Sequence, residues 1–131
     1  MNILYPAICH FEEGGYWCEF PDLGGCFSQG DTEQEIVVNA AEALEGYVEN
    51  LLESDIELPK PSAITQFRTE GRDFVTYISC NLASGSKYVR KNVTLPAWLC
   101  RRAEKAAINF SQTLQESLFQ KLGIPANAVT A

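Results

Sequence analysis

The sequence predicts an α+β protein in two parts, in which a small antiparallel sheet with one long helix is followed by a strand and two helices. Three observations predict this arrangement. β-Rich stretches flank a two-glycine turn, a capped amphipathic helix follows Thr32, and the charge of the chain changes sign near residue 87. Over the 131 residues, we expect a first domain at 1–82, a linker at 83–87, a second domain at 88–123 and a tail at 124–131.

The strands of the first domain are predicted from alternation and turn signals. Ile3 to Phe11 is rich in β-formers, and Glu12-Glu13-Gly14-Gly15 predicts a tight hairpin in which the two glycines take positive φ. The returning strand, Tyr16 to Phe20, places Tyr16, Cys18 and Phe20 on one face and Trp17 and Glu19 on the other. Residues 26–28 are predicted to form a short third strand or a bulged continuation of the second, and residues 74–79 a fourth strand.

A long helix is predicted between these strands. Thr32-x-x-Glu35 has the form of a capping box, in which each side chain satisfies a backbone amide at the start of the helix. Asp55 to Pro61 should end the helix, because two prolines and the residues before them resist helical geometry. The apolar stripe predicted to face the sheet consists of Val37, Ala40, Ala41, Leu44, Val48 and Leu51.

The net charge of −7 hides two pieces of opposite sign. Residues 1–86 carry fifteen acidic and three basic side chains, a charge of −12, whereas residues 87–131 carry seven basic and two acidic ones, a charge of +5. This asymmetry suggests a basic partner for the first part and a polyanion for the second. An acidic surface that serves only solubility is the alternative explanation.

Composition excludes several other classes of protein. An apolar fraction of 46% argues against disorder, and neither a membrane-spanning run nor a signal peptide is recognisable, so we expect a cytoplasmic protein without a membrane partner. Five cysteines with no C-x-x-C pair and one histidine predict buried free thiols rather than disulfides or a metal site. No cofactor is expected.

An enzyme is the least favoured class. One helix on a curled sheet suggests a ribonuclease H-like fold, whose chemistry needs carboxylates that converge on metal ions. The stretch Ile3 to Phe11 contains none, and His10 has no acid or nucleophile partner in any sequence motif. We therefore expect a surface or packing role for His10 and no active site.

The first domain resembles the HicB antitoxin family in a series of spaced motifs. They are Tyr5-Pro6-Ala7-Ile8, Glu13-Gly14-Gly15-Tyr16-Trp17, Phe20-Pro21-Asp22-Leu23, Gly25-Cys26, Gln29-Gly30-Asp31-Thr32 and Ala40-x-Glu42-Ala43-Leu44. The resemblance implies a truncated ribonuclease H fold without catalytic acids, and a partner that is a small, basic, RNA-cleaving HicA-like toxin. Gly24-Gly25 departs from the proline–glycine usual in the family.

An exposed aromatic residue within acidic surroundings would make a plausible contact for such a toxin. The toxin-binding residues that we predict are Trp17, Glu19, Glu12, Glu13 and Asp22.

The second part has too little chain for a core of its own. Tyr88 to Leu95 alternates as a strand, Pro96 should begin a helix, and Asn109 should end it in a left-handed conformation. Ser111 is the predicted N-cap of a second helix, which Gly123 closes. Forty residues with one unpaired strand cannot bury their apolar surface, so we expect two copies to pair their strands.

The pattern from Tyr88 to Gly123 resembles a ribbon-helix-helix DNA-binding domain, which dimerisation completes. The resemblance implies that Arg90, Asn92 and Thr94 read bases in the major groove of an inverted-repeat operator. Lys87 and the amides near Ser111 and Gln112 would contact phosphates.

The sequence therefore favours an antitoxin that blocks a HicA-like toxin and represses its own operon as a homodimer or tetramer. The alternative is a ribbon-helix-helix repressor without a toxin partner, whose first domain senses a ligand or oligomerises.

Overall fold

The computed structural model describes residues 2–82 and 88–124. Its central feature is a four-stranded antiparallel sheet in the order β3-β2-β1-β4, with the longest strand, β1, between β2 and β4. The strands are β1 (Asn2–Glu12), β2 (Gly15–Glu19), β3 (Phe27–Gly30) and β4 (Phe74–Asn81), and the helices are α1 (Glu33–Glu53), α2 (Ala97–Lys105) and α3 (Phe110–Lys121). The predicted α+β class is confirmed.

The hairpin between β1 and β2 forms where it is predicted, with one change in its turn. Positive φ occurs at Glu13 (51°) and Gly14 (81°), while Gly15 is already the first residue of β2. Our assignment of positive φ to the two glycines was wrong by one position. A two-residue turn with both φ values positive matches the right-handed twist of the strands, which explains the shift.

Helix α1 packs across one face of the sheet. Its N-cap, Thr32, accepts a hydrogen bond from the backbone amide of Glu35 at 3.1 Å, as the capping motif predicts. The helix ends at Glu53, and Asp55 follows with a φ of 55°. Gly30 allows β3 to approach the helix, because a Cβ atom there would lie 2.7 Å from the backbone nitrogen of Ile36.

The buried stripe of α1 differs from the predicted one at its N-terminal end. The buried residues are Ile36, Ala40, Leu44 and Val48, whereas Val37 is 39% exposed. Both Ile36 and Val37 fit an apolar stripe of helical width. The angle at which α1 crosses the sheet selects Ile36, so Val37 was placed in the core wrongly.

The core lies between α1 and the facing side of the sheet. From the strands it takes Ile3, Tyr5, Ala7, Cys9, Tyr16, Cys18, Ile78 and Cys80. The segment after α1 is fastened by two polar contacts: the Tyr5 hydroxyl donates to the Pro59 carbonyl at 2.6 Å, and Asp22 accepts from the Ser62 backbone amide and hydroxyl at 2.9 and 2.6 Å.

The second part contains both predicted helices with shifted starts. Pro96 is the N-cap of α2 rather than its first residue, and Ala107, with a φ of 56°, follows its end. Asn109 is the N-cap of α3 and its side chain accepts from the amide of Gln112 at 3.0 Å. The expected left-handed Asn109 and the Ser111 cap were therefore wrong, since asparagine caps as well as serine does.

Two further expectations concern the segments that flank these helices. Residues 88–95 form no β-ladder with any other part of the chain that the structure describes, which is consistent with a strand that lacks its partner. Gly123 closes α3 with a φ of 68°. The next residue, Ile124, packs against the core of the first domain together with Phe119, so the predicted loose tail was wrong at Ile124. The linker 83–87 and the tail beyond 124 lie outside the described residues.

Candidate partner-binding surfaces

The sheet has one face covered by α1 and an opposite face that carries the predicted toxin-binding tryptophan. Strand register places His10, Trp17 and Gln29 in one cross-strand row on this opposite face. Ile8, Glu19 and Phe27 form the next row, in which Phe27 is 60% exposed. We call this surface the outer face. It combines apolar side chains with carboxylates at the end of the sheet nearest the β1–β2 turn.

His10 and Trp17 form the centre of this end of the outer face. Their rings stack with centroids 4.4 Å apart and an interplanar angle of 24°. Phe27 extends the aromatic surface, with its ring centroid 6.4 Å from that of Trp17. Trp17 is partly exposed, and an indole that is held by stacking loses little side-chain freedom when a partner binds, which favours its use as an anchor.

Two carboxylates flank His10. Nδ1 lies 3.3 Å from Asp73 Oδ2, and Nε2 lies 3.4 Å from Glu19 Oε2 without hydrogen-bond alignment. The second Asp73 oxygen accepts from the Phe11 amide at 2.8 Å, which fixes this carboxylate. A doubly protonated imidazole can donate toward both carboxylates, whereas a neutral ring can donate toward only one.

This cluster corrects our expectation for His10, which has acid partners after all. Sequence reasoning missed them because Asp73 is distant in sequence and approaches His10 only through the pairing of β1 with β4. The contacts of the ring are carboxylates and an indole, with no nucleophile among them. The arrangement holds two carboxylates, an imidazole and an aromatic surface together at this end of the outer face.

The remaining predicted toxin-binding residues fall into two places. Glu12 and Glu13 lie exposed at the β1–β2 turn, beside a cleft that Trp17, Asp31 and Glu35 also line. Asp22 is half-buried, and its contacts are with Ser62 rather than with the Trp17 cluster. The structure thus brings four of the five residues to one end of the domain and gives Asp22 a part in fastening the chain.

The predicted DNA-binding residues lie in the second part. Arg90, Asn92 and Thr94 are exposed, and Arg90 and Asn92 line a groove with Ser111 of α3. The Gln112 amide is already occupied by the side chain of Asn109, which leaves the amide of Ser111 as the better donor to a phosphate. Lys87 lies outside the described residues.

Apolar side chains in this second part are exposed on both helices and on the segment before them. They include Val89 (81% exposed), Val93, Leu95, Trp98, Leu99, Leu114, Leu118 and Leu122 (73%). Neither α2 nor α3 contains a buried residue. So much apolar surface on a small helical unit marks an interaction site.

Two kinds of feature are missing from residues 2–82 and 88–124, a cluster of metal-ligating side chains and a membrane-spanning helix. No group of three His, Cys, Asp or Glu side chains there is placed to hold a metal ion. No helix in the same ranges has the length and apolar character needed to cross a membrane.

Comparison with known proteins gives consistent matches. A family model for the HicB-like antitoxin of bacterial toxin–antitoxin systems matches residues 5–121. A 14.9 kDa protein of Haemophilus phage HP1 is 39% identical over 107 residues, which span 79% of this chain and 80% of that protein.

Two solved structures extend the comparison. The crystal structure of Burkholderia pseudomallei antitoxin HicB has a TM-score of 0.69 at 23% identity and covers 92% of this chain and 98% of its own, a likeness of fold. A chain of a HicA3–HicB3 toxin–antitoxin complex has a TM-score of 0.51 at 26% identity and covers 60% of this chain and 99% of its own.

Proposed function

The chain belongs to the HicB-like antitoxin family, and from that premise we propose that its first domain binds and inhibits a HicA-like toxin that cleaves mRNA. The observation that carries the proposal is the outer face, where an ordered, partly exposed Trp17 lies among carboxylates. In this proposal the sheet and α1 form a partial ribonuclease H-like fold that serves as a binding scaffold. The protein is not an enzyme itself.

Charge supports a basic partner for this surface. The first 86 residues carry a net charge of −12, and Glu12, Glu13 and Glu19 lie at the same end of the domain as Trp17. Opposite charge on a partner speeds encounter and selects orientation, while a buried aromatic anchor supplies most of the affinity. Asp22 is hydrogen-bonded to Ser62. We propose that it adds to the negative electrostatic potential of the domain and does not contact the toxin.

Fragment 1–82 tests the proposal directly. It should bind a HicA-like toxin from the same operon and suppress its cleavage of RNA without the second domain. Trp17→Ala should weaken binding by about 2 kcal/mol, or roughly 30-fold in Kd. Trp98→Ala in the full chain is the matched control, because Trp98 lies in α2, and it should leave toxin affinity unchanged.

The opposite outcome is equally clear. If circular dichroism shows that the fragment is folded, yet the toxin cleaves RNA as fast as before, this domain does not inhibit the toxin. The chain would then fit the alternative, a repressor whose first domain senses a ligand or oligomerises. The pure protein can also be incubated with RNA, DNA or RNA–DNA hybrids in Mg²⁺ or Mn²⁺. Nuclease activity that elutes together with the protein peak from a sizing column would overturn the non-enzymatic assignment.

For the second part we propose autoregulation in the cytoplasm through operator DNA. Two chains would pair residues 88–95 into a ribbon-helix-helix dimer, alone or within a tetramer, and cover the exposed apolar surface of α2 and α3. The ribbon would present Arg90, Asn92 and Thr94 to each half of an inverted repeat. Lys87, Ser111 and, less directly, Gln112 would position the phosphates. The +5 charge of residues 87–131 supports a polyanionic partner.

A further inference from the structure

Four cysteines, Cys9, Cys18, Cys26 and Cys80, are buried as free thiols in the core of the first domain. Only two of them face each other. Cys9 on β1 and Cys18 on β2 are direct cross-strand partners. Cys80 lies opposite Ile3, and Cys26 precedes β3, where its thiol is directed to the Ala43 carbonyl at 3.8 Å.

The turn geometry determines which kind of cross-strand pair Cys9 and Cys18 form. In a hairpin with a two-residue turn, the flanking residues, here Glu12 and Gly15, form a hydrogen-bonded pair. Pair types then alternate along the strands, so Cys9 and Cys18 form a non-hydrogen-bonded pair. The Phe11 amide supports this order of alternation, because it donates a hydrogen bond to Asp73 and not to β2, as expected for a non-hydrogen-bonded pair with Tyr16.

This pair type brings the two sulfurs within bonding reach. Cα atoms in non-hydrogen-bonded pairs are about 4.5 Å apart, and disulfides span Cα separations of about 4.4–6.8 Å. A disulfide could therefore form here with little movement of the backbone. It would lie at the short end of the permitted range, where strain makes the bond easier to reduce again.

The thiols also differ in electrostatics. A hydrogen bond from Cys9 and another from the Ser28 backbone amide lower the pKa of Cys18, although burial and the charge of Glu19 oppose them. The same bond, together with burial, raises the pKa of Cys9. Burial raises the pKa of Cys26 and of Cys80 to about 11. Cys18 is thus the buried sulfur best suited to become a thiolate, which is the nucleophilic form.

We propose that Cys9 and Cys18 form a reversible redox pair that is oxidised to an intrachain disulfide by hydrogen peroxide. The Cys18 thiol releases its proton, the thiolate attacks one peroxide oxygen, and the O–O bond breaks; the leaving hydroxide takes up that proton, which gives water and a Cys18 sulfenic acid. The Cys9 sulfur then attacks Cys18 Sγ, the S–O bond breaks, and the second water carries away the Cys9 proton. The two sulfurs lose two electrons in total and the peroxide gains them.

Position makes this pair relevant to the outer face. Cys18 lies between Trp17 and Glu19 on β2, with its side chain toward the core and theirs away from it. The disulfide would therefore join β1 to β2 directly beneath the two residues. The redox proposal does not depend on toxin binding, because it follows from the sheet register and the sulfur contacts alone.

Hydrogen peroxide and peptide mass mapping test the pair in the full chain. Cys100→Ser is the background, since Cys100 is the partly exposed thiol of α2 and would react independently. Cleavage after glutamate separates Cys9, Cys18 and Cys26, because Glu12, Glu13 and Glu19 lie between them. The peptides that carry Cys9 and Cys18 should become joined, with a mass loss of about 2 Da, and dithiothreitol should release them.

Two variants provide matched controls. Cys18→Ala should abolish the cross-link and leave Cys9 free to be alkylated after unfolding, whereas Cys26→Ala, at another buried site, should retain it. The proposal is wrong if Cys9 and Cys18 stay free under peroxide, or if Cys26 and Cys80 are oxidised to the same extent. Because the mapping is done on the unaltered hairpin, the proposal stands or falls on that measurement even if a variant fails to fold.

Discussion

The two parts of the chain differ in how they bury apolar residues. Among the described residues, every fully buried apolar side chain lies within residues 2–82, and most of them lie between α1 and the sheet. Residues 88–124 contain two helices, and neither of them has a buried residue. The first part therefore gains hydrophobic stabilisation within one chain, whereas the second needs another surface to gain it.

The two parts also differ in how they present polar groups to a partner. The first domain keeps Trp17 and the neighbouring carboxylates outside a finished core, so its proposed toxin-binding surface exists before a partner arrives. In the second part, the segment 88–95 has no strand partner within residues 2–82 and 88–124, so the proposed DNA-reading surface depends on assembly. Binding by the two parts should consequently respond differently to protein concentration.

Separating the parts should have the largest effect. Fragment 1–82 should fold and melt at a temperature that does not depend on concentration, although it loses the contacts of Phe119 and Ile124 with the core. Fragment 83–131 should gain helix only as its concentration rises, because dimerisation supplies its core. Circular dichroism melts over a hundredfold range of concentration would decide this. A second fragment that melts identically across the range would break the comparison.

Core truncation within α1 should be the next largest effect. Leu44 is fully buried, and Leu44→Ala should lower the free energy of unfolding by about 2–5 kcal/mol. Val37→Ala, on the same helix at a 39% exposed site, should change it by less than about 1 kcal/mol. Urea titration of both variants measures the contrast. If both variants lose the same free energy of unfolding, Val37 belongs to the core stripe, as the sequence predicts.

Arg90 offers a test of the second part that should spare stability. Arg90→Ala should weaken operator binding by about 1–3 kcal/mol and relax base preference at one position in each half-site. Replacing Lys87 should instead weaken binding to all DNA sequences by the same factor and make the affinity less dependent on salt concentration. Since Arg90 is exposed, the melting temperature of the Arg90→Ala variant should stay close to that of the wild type. Unchanged affinity in the folded Arg90 variant would remove residues 88–95 from the recognition surface.

The smallest expected effect concerns Tyr5, whose hydroxyl is buried and donates to Pro59. Burial, with a lesser effect from the charge of Asp22, raises the pKa of Tyr5 from 10.0 to about 12. A raised pKa means that this stabilisation is complete below pH 10 and is lost as the pH rises through 12. Near neutral pH, Tyr5→Phe should cost about 1 kcal/mol.

The difference between wild type and Tyr5→Phe is the quantity to measure, because other tyrosines titrate in both proteins. Urea unfolding in alkaline buffers should show the difference shrinking as the pH approaches 12. A difference that stays constant across this range would mean that the Tyr5 hydroxyl is not protected in the fold.

Local signals in the sequence were enough to predict most elements. Thr32 caps α1, the alternation of Tyr16, Cys18 and Phe20 predicts their common buried face, and Gly123 closes α3. These features depend on interactions within a few residues, and side-chain spacing or backbone preference expresses such interactions directly. The HicB-like motifs and the division of charge were also readable, and they indicated two binding parts before any contact was known.

Tertiary packing decided what local signals leave open. The choice of Ile36 over Val37 depends on how α1 crosses the sheet, and the His10–Asp73 contact depends on β1 pairing with β4. Likewise, Cys9 and Cys18 meet because a two-residue turn sets the strand register. In each case the partners are separated in sequence or compete with a neighbour of equal propensity. Only burial against a particular surface distinguishes them, because the free energy of burial depends on the area that the assembled fold removes from water.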